Sequence, residues 1–357
     1  MLKSKRHAEE ISKSYSVPLE DVMLIALNAC GIRSDKYSNR VRFQLFFVNS
    51  KDKECYFSAM FCNSTSNFTL SENKLYLGSD YIADADNIEI DTCSNSYFRN
   101  GGKVLTINTN PGKRCRGCAF CSTYSLSRSD KELNYDIQSA RYFCEQLLKQ
   151  LKIESYSNIE RAALCTGCFG HEDILVENLL SLHDSLKLFG FNGSFVYIGS
   201  ELTSYGAIEY LSKAINNFEM YITLETFTNR DNLLHEEKKK LSLDKAEDIM
   251  KFSRTCGVKN NIVTVIGLES HENYIHGIKR FQYVIDRFPI INILQPYSKS
   301  MESLRHSEAI NISYYLEIRK ELEMIFKNHR HRPHPWECYR SLWYTEYNGA
   351  KIYEIKI

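Results

Sequence analysis

Three cysteines carry the strongest chemical signal in the chain: Cys115, Cys118 and Cys121, in the run Asn110-Pro-Gly-Lys-Arg-Cys-Arg-Gly-Cys-Ala-Phe-Cys. Three thiols so close together can turn toward one centre, because Gly112 and Gly117 allow the tight backbone turns this requires. A zinc ion would need a fourth ligand, which His171 or Cys168 can supply from further along the chain. A low-potential electron carrier would read C-x2-C-x2-C-x3-C-P. Here Ser125 stands in place of the fourth cysteine and Leu126 in place of the proline. Three thiolates on a four-iron cubane leave one iron open for a substrate or cofactor. Cluster-bound catalysts need that vacancy; electron carriers do not.

A second chemically dense stretch runs from Asn328 to Trp343. It holds His329, His331 and His334, the arginines Arg330, Arg332 and Arg340, and both tryptophans, Trp336 and Trp343. It can line a pocket for an acidic substrate, or it can be a solvated helix end whose aromatics cap the fold. Pro333 and Pro335 make a helical pair of histidine metal ligands unfavourable, so no metal is assigned there.

The elements that must position these residues follow from hydrophobic periodicity. Strand-like runs recur at Val104–Asn108, Ala162–Cys165, Phe195–Gly199, Tyr221–Glu225, Ile262–Gly267 and Ile291–Gln295. Helical spacing lies between them, as at Leu175, Leu179, Leu182 and Leu186, and further helices are predicted at Leu243–Cys256 and Asn273–Phe288. Six β-α units argue for α/β architecture, a parallel sheet covered by helices and rolled into a partial (β/α)6 barrel. In such folds chemistry sits at the C-terminal ends of the strands. The cysteine run follows the first strand directly. Residues 1–100 keep a different rhythm, with helices at Ala8–Ser14 and Leu19–Cys30 and then short strands at Val41–Val48, Glu54–Phe61, Lys74–Leu77 and Asn87–Ile90. They predict an N-terminal α+β appendage, followed by a barrel over residues 101–300 and a C-terminal extension over 301–357 that caps it.

A strand leading into a glycine-containing loop with three cysteines, an aromatic just before the last, at the mouth of a partial barrel, resembles the radical S-adenosylmethionine superfamily. The commonest family spacing is C-x3-C-x2-C; this chain is one residue shorter at the first gap. The resemblance covers Val104 to about Gln295. It implies a [4Fe-4S] cluster on Cys115, Cys118 and Cys121 whose open iron chelates S-adenosyl-L-methionine. Reductive cleavage would then give a 5′-deoxyadenosyl radical that abstracts hydrogen from substrate. Phe120 matches the aromatic near the adenine. Thr166-Gly-Cys-Phe-Gly-His-Glu172 occupies the place of the glycine-rich turn that receives the methionyl ammonium, with Gly167 and Cys168 at its core. After the third and fourth strands, Ser200 and Glu225 would reach the ribose, and Arg230 would pair bidentately with the methionyl carboxylate. Val263-Thr-Val-Ile-Gly267-Leu-Glu269 resembles the G-x-I-x-G-x-x-E element, so Val265 and Gly267 would flank the adenine. Cys168 and Cys338 are candidates to return a hydrogen atom to a substrate radical, against the plainer reading of small buried hydrophobes.

Composition bounds the rest. The 357 residues hold Lys+Arg 45 against Asp+Glu 44, a net charge of +1 that gives no general drive toward nucleic acid. No apolar run approaches the ~20 residues of a spanning helix. The start of the sequence is charged, without an apolar signal core, and the 12 cysteines show no disulfide framework, so a cytoplasmic protein is expected. The favoured function is a radical enzyme acting on a small molecule or natural-product intermediate, reduced by an external donor such as flavodoxin or ferredoxin. A peptide or protein modifier, and a non-catalytic iron–sulfur or zinc protein, remain as alternatives.

Overall fold

A computed structural model describes residues 1–37, 39–50, 54–61, 66–90, 97–109, 115, 117–121, 140–296, 298–328 and 340–352. Helices α1 (Lys5–Tyr15) and α2 (Leu19–Cys30) lead into strands β1 (Asn39–Phe47), β2 (Glu54–Phe61), β3 (Phe68–Ser71), β4 (Lys74–Leu77) and β5 (Asp80–Ile90). These five form an antiparallel sheet of order β2-β1-β5-β4-β3. Its two edges meet the same short segment: Ile32 bridges Phe61 of β2, and Arg33 bridges Thr69 of β3. The sheet thus curls toward closure, which limits its exposed edge backbone. Sequence periodicity missed β3 and most of β5, which are polar on one face and interrupted by turn residues.

The barrel sheet begins with β6 (Tyr97–Arg99), antiparallel to β7 (Val104–Thr109). The chain continues through α3 (Ala140–Leu151), β8 (Arg161–Thr166), α4 (Glu172–Leu188), β9 (Ser194–Gly199), α5 (Tyr205–Ala214) and β10 (Phe218–Glu225). After the short helices α6 (Arg230–Leu233) and α7 (Glu236–Lys239) come α8 (Leu243–Thr255), β11 (Lys259–Ile266), α9 (His271–Lys279) and β12 (Ile290–Ile293). Strands β7 to β12 are parallel and lie side by side in chain order, the arrangement of a partial barrel and not of a doubly wound sheet. Each falls where its apolar run predicts it. β6 extends this sheet, so the barrel unit begins before residue 101.

The period-2 alternation of the strands separates two cores. Phe218, Met220, Ile222 and Leu224 of β10 join the main core with the helices, whereas Tyr221 packs with Ala163, Val196, Val263 and Ile290 in a separate cluster. The helix predicted over Asn273–Phe288 stops at Lys279. Beyond it, tighter turns (Phe281 N–H to Ile278 O, Val284 N–H to Phe281 O) still bury Phe281, Val284, Ile285 and Phe288. The spacing reported burial correctly and backbone geometry incorrectly.

Helices α10 (Lys299–Glu302) and α11 (Ile312–Ile325) and the hairpin of β13 (Glu346–Tyr347) and β14 (Ala350–Lys351) follow. The hairpin turns on Asn348 and Gly349, both at positive φ. Helix α11 packs on α9 and α2, and α2 also reaches β12. Residues 21–29 of α2 are all buried, including Asp21 and Asn28. Asp21 accepts from Arg319 Nη1 at 2.5 Å, Thr345 N at 2.7 Å and Thr345 Oγ1 at 2.8 Å. Asn28 Oδ1 accepts from Gln295 Nε2 at 2.6 Å, and Gln295 also donates to Ser58 O of β2 at 3.0 Å. The N-terminal unit is therefore fastened to the β12 end of the barrel and to α11. Among the described residues, no helix is long and apolar enough to cross a membrane.

Removing one member of a buried ion pair leaves the other charge uncompensated, so Asp21→Ala should cost roughly 3–5 kcal/mol in denaturant unfolding. A loss of only about 1 kcal/mol, typical of an exposed pair, would refute the junction's importance.

Candidate functional site

The site is built from the segments that leave the barrel strands at their C-terminal ends. Their backbone N–H groups have left the sheet ladder and need new acceptors, and three glutamates supply them. Glu201, after β9, accepts from Phe169 N at 2.5 Å and Gly170 N at 2.8 Å in the turn after β8. Burial pushes its carboxyl above the usual range, against the pull of those two N–H donors. Glu172, at the start of α4, accepts from Thr203 N and, at 2.8 Å, from Ser204 N after β9. Glu269, after β11, is 2% exposed and accepts from Phe227 N at 3.0 Å, Thr228 N at 2.9 Å and both threonine hydroxyls, Thr226 and Thr228. Each loop is held by its neighbour.

The cysteine loop hangs on the loop after β10. Ala119 N–H donates to Leu233 O at 2.9 Å, and His235 N–H donates to Cys118 Sγ at 3.4 Å. Cys118 and Phe120 are buried in a cluster with Leu233, Leu234, Val265, Leu268 and Leu294, and Cys121 packs against it. Two of the residues expected at the adenine, Phe120 and Val265, thus share one apolar wall. Burial pushes the Cys118 thiol up to about 11. Cys115 is held below the ordinary thiol value by the Cys168 thiol that donates to it, and by the N–H groups of Cys168 and Gly117, against the effect of burial. Cys168 is shifted the opposite way, first by that same contact.

Other expected residues are placed as follows. Gly167 is half-buried and precedes buried Cys168, and Ser200 is buried directly after β9. Glu225 ends β10 in the left-handed region (φ 67°), and its Oε1 accepts from Lys238 Nζ at 2.6 Å. Gly267, at φ 105°, donates its N–H to Tyr314 Oη at 3.1 Å, and its carbonyl accepts from His306 N at 2.8 Å. A Cβ there would lie 3.3 Å from Leu294 Cβ, so a larger residue would be both strained and crowded. Arg230 has a different occupation from the one expected. Its Nη1 donates to Leu224 O and Thr226 O, both at 2.7 Å, and its Nη2 to Leu241 O at 2.9 Å. The guanidinium braces the backbone on either side of Glu225 instead of presenting a free fork. Cys338, His329, His331, His334 and Trp336 lie outside the described residues. Sequence reading missed Glu201, Glu269, His235 and Lys238 as site-builders; a glutamate within a few residues of a strand's end was the available signal for the first two.

The donor set fits an iron–sulfur cluster: thiols on one loop, two of them receiving N–H groups that favour the thiolate. A single ion would require sulfurs converging to about 4 Å of one another, given metal–sulfur bonds of about 2.3 Å. Among the described residues no three His, Cys, Asp or Glu side chains are grouped to hold one ion.

Arg230→Lys should lose roughly 1.5–3 kcal/mol of stability, because a point charge cannot reach three carbonyls in a planar fork. Denaturant unfolding checks this, and unchanged stability would return Arg230 to ligand binding.

No family model and no curated protein matches the sequence. Among solved structures, SuiB of Streptococcus suis bound to S-adenosylmethionine matches at 14% identity and TM-score 0.43, over 63% of this chain and 49% of that one. HydG, the FeFe-hydrogenase maturase of Carboxydothermus hydrogenoformans, matches at 15% identity and TM-score 0.44, over 64% and 54%. The chain spans about half the length of each. A radical SAM methyltransferase from Sphaerobacter thermophilus matches at 10% identity and TM-score 0.42, over 91% of both chains. Each of these is a likeness of fold alone.

Proposed function

We propose that the protein is a radical S-adenosylmethionine enzyme with a small-molecule substrate, its [4Fe-4S] cluster held by Cys115, Cys118 and Cys121. One observation carries the reading. The three-cysteine loop is seated beyond the C-terminal strand ends of a six-stranded parallel partial barrel, bonded to the loop after β10 and touching the turn after β8. A reduced cluster supplies, when bound, the electron that splits the sulfonium and releases a 5′-deoxyadenosyl radical.

The chain's own residues do the rest by binding and orientation. Phe120 and Val265 offer the adenine an apolar wall, and Gly267 keeps the strand end slim beside it. Ser200 and the Glu225 carboxylate serve the ribose hydroxyls. The Gly167–Cys168 backbone, in the turn that Glu201 fixes at Phe169 and Gly170, serves the methionyl ammonium. Cys168 lies against Cys115, so its first role is beside the cluster ligands. The electron comes from an external donor such as a flavodoxin or ferredoxin. A small substrate is the reading preferred here; Ile32 and Arg33 each bridge one edge residue of the N-terminal sheet, Phe61 of β2 and Thr69 of β3.

Anaerobic reconstitution tests the reading. About four irons per chain and reductant-dependent release of 5′-deoxyadenosine are expected, with Cys118→Ala losing the cluster. Stoichiometric zinc in the native protein, or full cluster retention in Cys118→Ala, would sink it.

A further inference from the structure

Lys238 has no task in this scheme, yet it sits at the centre of the site. Its side chain is only 13% exposed, on the four-residue helix α7 that follows His235. The same turn therefore delivers a backbone N–H to Cys118 Sγ and an ammonium to Glu225 Oε1. A buried ammonium is costly unless paired, and Glu225 Oε1 at 2.6 Å supplies one partner. That partner does not exhaust its field, because Cys115, Cys118 and Cys168 all lie within its electrostatic reach. Other charged groups within electrostatic reach of these thiols are Glu225 at Cys118, Glu201 at Cys115 and Cys168, and Arg230 at Cys118. Burial alone would lower the lysine's affinity for its proton, but its ion pair with Glu225 works against that and keeps the ammonium charged.

We propose that Lys238 is a fixed cation that stabilises the electron added to a cluster on Cys115, Cys118 and Cys121, and so raises that cluster's reduction potential, with Glu225 damping the effect. The inference rests on the cluster reading above. The step is one electron from an external reductant into the cluster, which becomes one unit more negative. No proton moves, and the ammonium stays charged throughout. A cation close to the added electron in a poorly hydrated site favours the reduced form, and a carboxylate beside that cation opposes it.

The test is an electron-paramagnetic-resonance-monitored redox titration of reconstituted full-length protein, with dithionite, mediators and no nucleotide. Lys238→Met should shift the reduced-to-oxidised ratio at fixed potential tenfold or more toward the oxidised form, about 59 mV more negative per tenfold. Glu225→Gln should shift it the other way, and Lys238→Arg should stay near the wild type. Should Lys238→Met fail to fold around an unpaired carboxylate, Glu225→Gln and the charge-free double variant Glu225→Gln/Lys238→Met carry the sign test. A role confined to packing would not give opposite signs. Full iron and sulfide content with an unmoved potential, or single variants shifting the same way, overturns this inference alone. A wild-type protein that takes up no cluster overturns the parent reading and this inference with it.

Discussion

Backbone N–H groups released at the C-terminal ends of parallel strands must find acceptors, and here half-buried and buried carboxylates provide them. Glu172, Glu201 and Glu269 each reach from one strand's exit to a neighbouring loop. Hydrogen bonds to a charged acceptor are roughly twice as strong as neutral ones, so this lacing fixes loops that would otherwise be the most mobile part of the fold. The cysteine loop inherits that order at second hand. Glu269 holds Phe227 and Thr228, Arg230 ties the same loop to Leu241, and the loop's far end holds Ala119 and Cys118. Without the lacing, three thiols near one another in sequence would have no fixed relation to the barrel mouth.

The junction with the N-terminal unit obeys the same rule on a larger scale. Helix α2 is apolar nearly all round, which demands burial on every side. Its two buried polar residues are satisfied across the interface: Asp21 by Arg319 and Thr345, Asn28 by Gln295. Such directional contacts fix how the unit sits, where apolar packing alone would allow it to slide. Gln295 is placed just beyond β12, so this anchoring occurs at the C-terminal end of the parallel strands.

What the sequence disclosed and what it withheld divide along a physical line. The six barrel strands and α2 were legible because apolar periodicity reports burial directly. Short helices α6 and α7 were not, since four residues give no period to read. The lacing glutamates showed only their places just past strand ends, because their partners are backbone amides of loops up to 42 residues distant. Lys238 sits in a run of charge, Glu236-Glu-Lys-Lys-Lys240, that reads as a solvated face. Its neighbours Glu236 and Lys240 are indeed exposed; Lys238 alone among the lysines of that run pairs with Glu225.

Arg230 shows how a side chain can serve the backbone of its own loop. Glu225 is held at φ 67°, a conformation that costs a non-glycine residue of order 1–3 kcal/mol. The β10–β11 pairing register shifts at the same place, between Thr223 and Glu225, and Thr226 N–H folds back to Leu224 O at 2.9 Å. Arg230 Nη1 then grips the carbonyls on both sides of Glu225, at Leu224 and Thr226. Two carbonyls pointing at one nitrogen is a geometry that an extended strand does not offer, so the bonds exist only if the turn is made. The guanidinium thereby offsets the strain and turns the Glu225 side chain out of the strand alternation toward Lys238. An arginine expected to grip a ligand's carboxylate instead sets the aim of the protein's own, and the ammonium beside the cysteine loop is where it points.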